Sequence, residues 1–161
     1  MKKWQFLLIS LIVIGLDQLT KYLIMTHLNP YESVSILPFF SFVLLFNTGS
    51  AFSFLNDAGS WHLWFFVVLS CLMSIVILVW FFKTPAHNIV QLVSLSLILG
   101  GAVGNLLDRM CRGHVIDFLD LYYNNYHWPA FNIADSAICI GAIMLLVCSR
   151  GSKSEDINCS P

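Results

Sequence analysis

The nine acidic side chains of this 161-residue chain are its candidates for acid–base chemistry. Four lie in the polar C-terminal tail or beside turn-forming residues, where solvated acids are expected. These are Glu32, Asp57, Glu155 and Asp156. A charge at the centre of a membrane helix costs about 2.5 to 3.5 kcal/mol, so an acid in or beside an apolar stretch is a functional candidate. Five such acids remain: Asp17, Asp108, Asp117, Asp120 and Asp135.

Asp117 and Asp135 are the acids whose surroundings best suit catalysis. Asp117 lies between two apolar residues in a segment that returns to the start of the helix carrying Asp135. Two carboxylates close together do not both ionise easily, so one can act as a base while the other holds a proton. Such a pair can drive hydrolysis of a peptide bond by water. The spacing alone supports this pair weakly, and Asp120 competes with Asp117.

The other candidate acids have simpler structural explanations. Asp17 and Lys21 are four residues apart, which lets an acid and a base pair across one helical turn. Asp108 follows Asn105 and precedes Arg109, and these three can form a polar network at a helix end. We therefore expect structural roles for Asp17, Lys21 and Asp108. For Asp135 the structural alternative is a place in the first turn of a helix whose N-cap is Asn132.

Other catalytic chemistries have little support in the sequence. Ser50, Ser53 and Ser136 do not lie in a nucleophile-elbow motif, and no histidine and acid form a recognisable triad pattern. The five histidines lack the spacing of metal ligands, and no phosphate-binding glycine motif occurs. The five cysteines show no C-x-x-C spacing. We expect no metal site and no nucleotide-binding site.

The chain that must position these acids has the composition of a membrane protein. It is 58% hydrophobic and 11% charged, with a mean hydropathy of +0.78. A membrane helix needs about 20 mainly apolar residues, and four stretches approach that length. They are Gln5 to Met25, Leu63 to Phe82, Ile89 to Leu107 and Ile133 to Cys148. We predict one membrane domain over residues 1–150, a disordered polar tail over 151–161 and, at a net charge of −1, no nucleic-acid partner.

The basic residues predict an orientation. Four spans would put both termini on one side of the membrane. Three lysines flank the spans on that side, Lys2, Lys3 and Lys83, and this predicts cytoplasmic termini. Arg109 and Arg112 follow the third span on the opposite side, against this rule.

The two connections on that opposite side have unusual compositions. The stretch from Ser33 to Phe46 is rich in β-forming residues and ends at Asn47-Thr-Gly, which predicts a hairpin or small sheet. The segment from Asp108 to Phe131 is rich in tyrosine and also contains Trp128, residues favoured at a membrane interface. We expect both connections to rest on the membrane surface.

Five polar motifs occur in order over nearly the whole chain. They are Asp17-Gln-Leu-Thr-Lys21, Asn47-Thr-Gly-Ser-Ala-Phe52, Gly101-Ala-Val-Gly-Asn-Leu-Leu-Asp-Arg109, Val115-Ile-Asp-Phe118 and Phe131-Asn-Ile-Ala-Asp-Ser136. Together they resemble the motifs of the lipoprotein signal peptidase (signal peptidase II) family. Ser50 stands where the family commonly has a small apolar residue.

The resemblance implies a fold and an activity. It implies a multi-pass bacterial inner-membrane protein with four transmembrane helices and a small extracytoplasmic β-cradle. It also implies an aspartic endopeptidase, without a cofactor, that removes the signal peptide of a diacylglyceryl-modified prolipoprotein before the lipidated cysteine. The catalytic pair would be Asp117 and Asp135. Four further side chains would line the site and hold the substrate or orient the aspartates: Asn47, Asn105, Arg109 and Asn132.

Two other functions are compatible with the residues considered alone. In a small proton-coupled transporter, Asp17, Asp108 and Asp135 would relay ions. In a membrane scaffold without enzymatic activity, the polar groups would serve only helix association.

Overall fold

The computed structural model describes residues 2–49 and 61–155, with side chains described as far as residue 148. A short 3-10 helix, Lys3–Phe6, leads into the first of four α-helices. The helices are α1 (Leu7–His27), α2 (Trp61–Lys83), α3 (Ile89–Arg112) and α4 (Ile133–Glu155). The strands are β1 (Ser33–Leu37), β2 (Phe40–Asn47), β3 (Val115–Tyr123) and β4 (Tyr126–His127). The protein is thus mostly helical with one small sheet.

Three helical segments of the described chain are long and apolar enough to cross a membrane. They are Lys3–His27, Trp61–Lys83 and Ile89–Arg112, with mean hydropathies of 1.7, 2.8 and 1.8. The apolar part of α4, Ile133–Cys148, is shorter. We call the end of the bundle that holds the starts of α1 and α3 the terminal end, and the opposite end the sheet end.

Helix α3 is the centre of the bundle and packs against α1, α2 and α4. Two of its glycines allow this close approach. A Cβ atom at Gly100 would lie 2.8 Å from the Cβ of Val13 in α1, and one at Gly101 would collide with the carbonyl of Ala134 in α4. Small residues let membrane helices pack closely, and these two glycines bring α3 against the backbones of α1 and α4.

The sheet is antiparallel with the order β1-β2-β3-β4. The β1–β2 hairpin confirms the strands predicted between Ser33 and Phe46. In the β2–β3 pair, Leu45 lies opposite Asp117 and Asn47 lies opposite Val115. This register brings the end of β2 beside the acid on β3.

The third helix extends beyond its predicted end at Leu107. It continues to Arg112 and stops at Gly113, whose φ of 77° is the left-handed conformation that glycine adopts readily at a helix end. Asp108 and Arg109 therefore lie on the helix and not in the following connection. Helix α4 also continues past Cys148 to Glu155, whereas Ser50, Ser53, Asp57 and the tail residues 156–161 lie outside the described residues.

Candidate active site

Asn132 links Asp117 and Asp135, which come from different elements. Asp117 is a buried residue of β3, and Asp135 is a partly exposed residue in the first turn of α4. The Asn132 Nδ2 donates to Asp117 Oδ1 at 2.8 Å. The Asn132 Oδ1 accepts from the backbone N–H of Asp135 at 2.9 Å, while Asp135 Oδ2 accepts from the backbone N–H of Asn132 at 3.2 Å. This reciprocal capping arrangement confirms Asn132 as the N-cap of α4.

Two further asparagines complete the set of donors. The Asn105 Nδ2 on α3 donates to Asp135 Oδ1 at 2.8 Å, and the Asn47 Nδ2 at the end of β2 donates to Asp117 Oδ2 at 2.9 Å. Each of the four carboxylate oxygens therefore accepts one N–H hydrogen bond. The donors fix both carboxylates and leave further lone pairs on their oxygens for a proton or a water molecule.

Burial sets the protonation of Asp117. The pKa of this carboxyl group is raised to about 6, mainly because the group is removed from water and also because of the nearby charge of Asp135, while the bonds from Asn47 and Asn132 limit the rise. Burial disfavours the charged form of an acid, and donors to the carboxylate favour it. Asp117 thus keeps its proton at pH values where an ordinary aspartate has lost it.

Arg109 supplies a positive charge close to the two aspartates. It lies near the end of α3, where its charge interacts with Asp135, Asp117 and Asp108. Its guanidinium carbon lies 5.4 Å from the ring centroid of Phe66 on α2, within cation–π range. The contact with Phe66 holds the side chain against α2.

Behind the aspartate pair is a cluster of buried ions. The fully buried Lys21 ammonium lies 2.8 Å from Asp17 Oδ2 and 2.7 Å from Asp108 Oδ2. Arg112 also pairs with Asp108 and donates to Gln18. Two acids face two bases in this cluster, so its formal charges balance. The predicted pairing of Asp17 with Lys21 is confirmed.

The sequence did not predict a second contact of Asp17. Its Oδ1 accepts a hydrogen bond of 3.0 Å from the backbone N–H of Ala134 in the first turn of α4. Asp17 therefore bonds a free amide of the helix that carries Asp135, as a capping residue would. No local pattern reveals this contact, because α1 and α4 are 117 residues apart at this point.

Asp120 is separate from this arrangement. It is buried in the sheet, where it accepts from Ser41 Oγ at 2.8 Å and lies 2.9 Å from His127 Nδ1. These contacts join β2, β3 and β4. Of the two competing acids on β3, only Asp117 shares a described bonding network with Asp135.

The described residues contain no group of three or more histidine, cysteine, aspartate and glutamate side chains that could hold a metal ion. The four cysteines within the described ranges are free: Cys71, Cys111, Cys139 and Cys148.

Three apolar helices long enough to span a membrane, with two hydrogen-bonded aspartates at the sheet end, place the protein among membrane proteins equipped for acid–base chemistry. Residues 9–150 match the family model described as signal peptidase (SPase) II. The chain belongs to this family, and it is a protease with a signal peptidase II function.

Relatives and solved structures agree with this assignment. The chain is 48% identical over 156 residues to a lipoprotein signal peptidase of Alteromonas mediterranea, covering 96% of this chain and 86% of the relative. It is 51% identical over 139 residues to one of Acinetobacter baumannii, covering 86% and 79%. Two bacterial membrane enzyme structures obtained by the in meso method superpose with TM-scores of 0.85 and 0.79, at 31% and 34% identity. They cover 98% and 89% of this chain, and the matches extend over 94% and 91% of their own chains.

Proposed function

We propose that this protein removes signal peptides from diacylglyceryl-modified prolipoproteins, cutting before the lipidated cysteine, with Asp117 and Asp135 as its catalytic residues. One observation carries the assignment of the pair: each carboxylate oxygen of the two aspartates accepts an amide hydrogen bond, and Asn132 bonds to both residues. Family membership supports the substrate class, since the relatives are lipoprotein signal peptidases.

In the proposed reaction a water molecule lies between the two carboxylates. Asp117, with its pKa raised to about 6, holds the proton of the pair, and Asp135 is the ionised base. Asp135 takes a proton from the water molecule while the water oxygen attacks the scissile carbonyl carbon. Asp117 donates its proton to the carbonyl oxygen. Asp135 then gives the proton it took from water to the leaving nitrogen, the carbon–nitrogen bond breaks, and a hydroxyl proton of the tetrahedral intermediate returns to Asp117.

The neighbouring polar groups have supporting roles in this proposal. The amides of Asn47, Asn105 and Asn132 hold the carboxylates in place. Arg109 offsets the negative charge of the pair and provides a donor for a substrate carbonyl. Asp17, Lys21 and Asp108 keep α1, α3 and α4 in register behind the site.

We further propose that α4 is a fourth membrane span, so that both termini lie in the cytoplasm and the sheet lies outside. Three observations support this placement. The apolar part of α4 is 16 residues long, from Ile133 to Cys148, which a locally thinned bilayer can accommodate. Lys2, Lys3 and Lys83 lie at the terminal end, as cytoplasmic lysines would. Three exposed aromatic residues of the sheet end suit the outer lipid interface: Tyr123, Tyr126 and Trp128.

The location explains how a lipid-bearing substrate reaches the aspartates. A diacylglyceryl group stays in the bilayer, because burial of each CH₂ group contributes about 0.8 kcal/mol. In this proposal the cleavage site and both aspartates lie at the interface, and the substrate enters sideways between helices.

The test is cleavage of a diacylglyceryl-modified prolipoprotein by purified protein in detergent. We compare the wild type with Asp117→Asn and Asp135→Asn, and use Asp120→Asn as the matched control, a buried acid on the same strand. Loss of cleavage in the first two variants, with activity kept in the control at equal folded amounts, supports the pair. Retained cleavage in Asp117→Asn or Asp135→Asn removes that residue from the mechanism.

A further inference from the structure

A partly open groove lies between α2 and α4 in the terminal half of the bundle. Its volume is about 1030 Å³, at the upper limit of pockets that hold small ligands. Helix α3 packs against both α2 and α4 and forms the floor. The groove is therefore a long slot between two helices, with one side open to the surroundings of the bundle.

The α4 wall of the groove continues directly from the active site. It is formed by Ile138, Ala142 and Leu145, which follow Asp135 at steps of three, four and three residues. Such steps keep side chains on one face of a helix. An occupant lying against this face reaches Asp135 at its outer end.

The groove floor on α3 and the groove wall on α2 also continue toward the active site. On α3, Gln91 and Ile98 line the groove, and the next residue at a step of seven is Asn105, which bonds to Asp135. On α2, Met73 lines the groove and lies seven residues after Phe66, which contacts Arg109. All three helices thus lead from the groove to the same polar site.

Polar residues close the groove at its terminal end. His87, Asn88 and Gln91 lie there, and the Asn88 Nδ2 faces Gln91 Oε1 at 3.4 Å. We call these three residues the polar collar. Cys148 on α4 also lines the groove. It lies 13 residues after Asp135, which is about 20 Å along the helix at 1.5 Å per residue. An apolar helical occupant can therefore have about 13 residues between the active site and the collar.

We propose that this groove binds the helical apolar segment of the substrate's own signal peptide and that its length selects that segment. Signal peptides have an apolar segment of about 7 to 15 residues that follows a positively charged segment. The apolar length matches the groove, and the charged segment would lie beyond the collar. None of the described residues lining the groove is a lysine or arginine, so nothing in the lining repels that charge. This inference rests on the proposed function, because it concerns the same substrate.

The test uses one substitution inside the groove and a neighbouring one outside it. Ala142→Trp fills the slot, whereas Ile143→Trp places the same side chain at a position that is 60% exposed on the outer face of α4. The probe is a fluorescent synthetic signal peptide in detergent micelles, with two lysines before a 13-residue Leu/Ala segment. Binding is measured without cleavage, so the groove is tested even if the protein does not cleave prolipoproteins. Cleavage of a full prolipoprotein, assayed separately, decides the proposed function.

We expect Ala142→Trp to raise the Kd for the probe about tenfold, equivalent to about 1.4 kcal/mol, and Ile143→Trp to change it less than about twofold. Among probes with apolar segments of about 9, 13 and 17 residues, the middle one should bind most tightly, since it matches the groove at 1.5 Å per residue. An unchanged Kd in Ala142→Trp shows that the probe does not lie in the groove and overturns the proposal. Equal weakening in both variants, or affinity that is independent of segment length, also overturns it.

Discussion

The Lys21 ammonium donates to Asn105 Oδ1 at 3.0 Å, and the other end of the same amide donates to Asp135. Asn132 Nδ2 lies 3.2 Å from the same Asn105 oxygen. These contacts orient the Asn105 amide, since a lysine can only donate and therefore must face the oxygen. The buried ion cluster thus determines which group of Asn105 meets the carboxylate of Asp135.

Replacement of Lys21 by methionine should damage both stability and activity. Methionine has a similar volume but leaves Asp17 and Asp108 without their shared partner, and loss of one member of a buried ion pair costs about 3 to 5 kcal/mol. We expect a lower midpoint of thermal unfolding in detergent and a fall in kcat. Adding Asp17→Asn to the variant should recover part of the stability, because Asp17 is the acid left without a base, whereas Asp108 keeps its pairing with Arg112. A Lys21→Met variant with wild-type stability would show that the ion cluster does not hold α1 to α3.

Substitution of Gly101 by valine should separate α3 from α4. Even a Cβ atom at this position collides with the backbone of α4 at Ala134, one residue before Asp135. Overpacking of this kind costs about 1 to 3 kcal/mol, and displacement of α4 should also lower kcat. Gly15→Ala in α1 is the control, since its new Cβ would meet nothing within 4 Å. Alanine there should be neutral or stabilise the helix by up to about 1 kcal/mol. Similar unfolding temperatures for the two variants would contradict the tight contact between α3 and α4.

Cleavage by the wild type should fall as the pH rises through about 6. The pKa of Asp117 is raised to about 6, so the pair holds one proton below that pH and loses it above, leaving no acid for the reaction. The measurement is kcat/KM as a function of pH. The range from pH 5 to pH 8 reaches about two units above the expected inflection. A constant kcat/KM over this range would show that Asp117 does not act as the proton donor.

The Asn47→Ala variant should move this inflection to higher pH. The bond from Asn47 stabilises the ionised form of Asp117, so its loss raises the pKa of that carboxyl group further. A purely structural role for Asn47 would lower the rate at every pH without moving the inflection. Ser41→Ala, which removes a donor to Asp120, is the control and should leave the pH profile unchanged.

Replacement of Asn132 by alanine should have the largest effect of the three asparagines. It removes the donor to Asp117 and the N-cap of α4 together. Loss of an N-cap costs about 0.5 to 2 kcal/mol, and we expect a fall in kcat of at least about 100-fold if both carboxylates lose their orientation. Asn132→Asp keeps an acceptor for the Asp135 N–H and should retain more stability, but not activity. Equal activity in Asn132→Ala and the wild type would remove Asn132 from the site.

The sequence by itself determined the features that depend on neighbours along the chain. The pairing of Asp17 with Lys21, the N-cap at Asn132 and the hairpin before Asn47 each follow from a spacing of a few residues. The apolar stretches and five motifs, compared with a known family, also indicated the fold, the activity and the proposed aspartate pair. The helix ends were less well predicted, because Gly113 and not the change in hydropathy ends α3.

Only the tertiary structure decided which polar groups meet across the bundle. Asn47 and Asp117 are 70 residues apart, yet the register of β2 and β3 brings them into contact. The same packing separates Asp117 from Asp120, which spacing could not do, and brings Asp17 to the first turn of α4. The physical reason is that these contacts depend on how closely α3 packs against α1 and α4. That distance is set by glycines and buried charges acting together, and no local pattern in the chain encodes it.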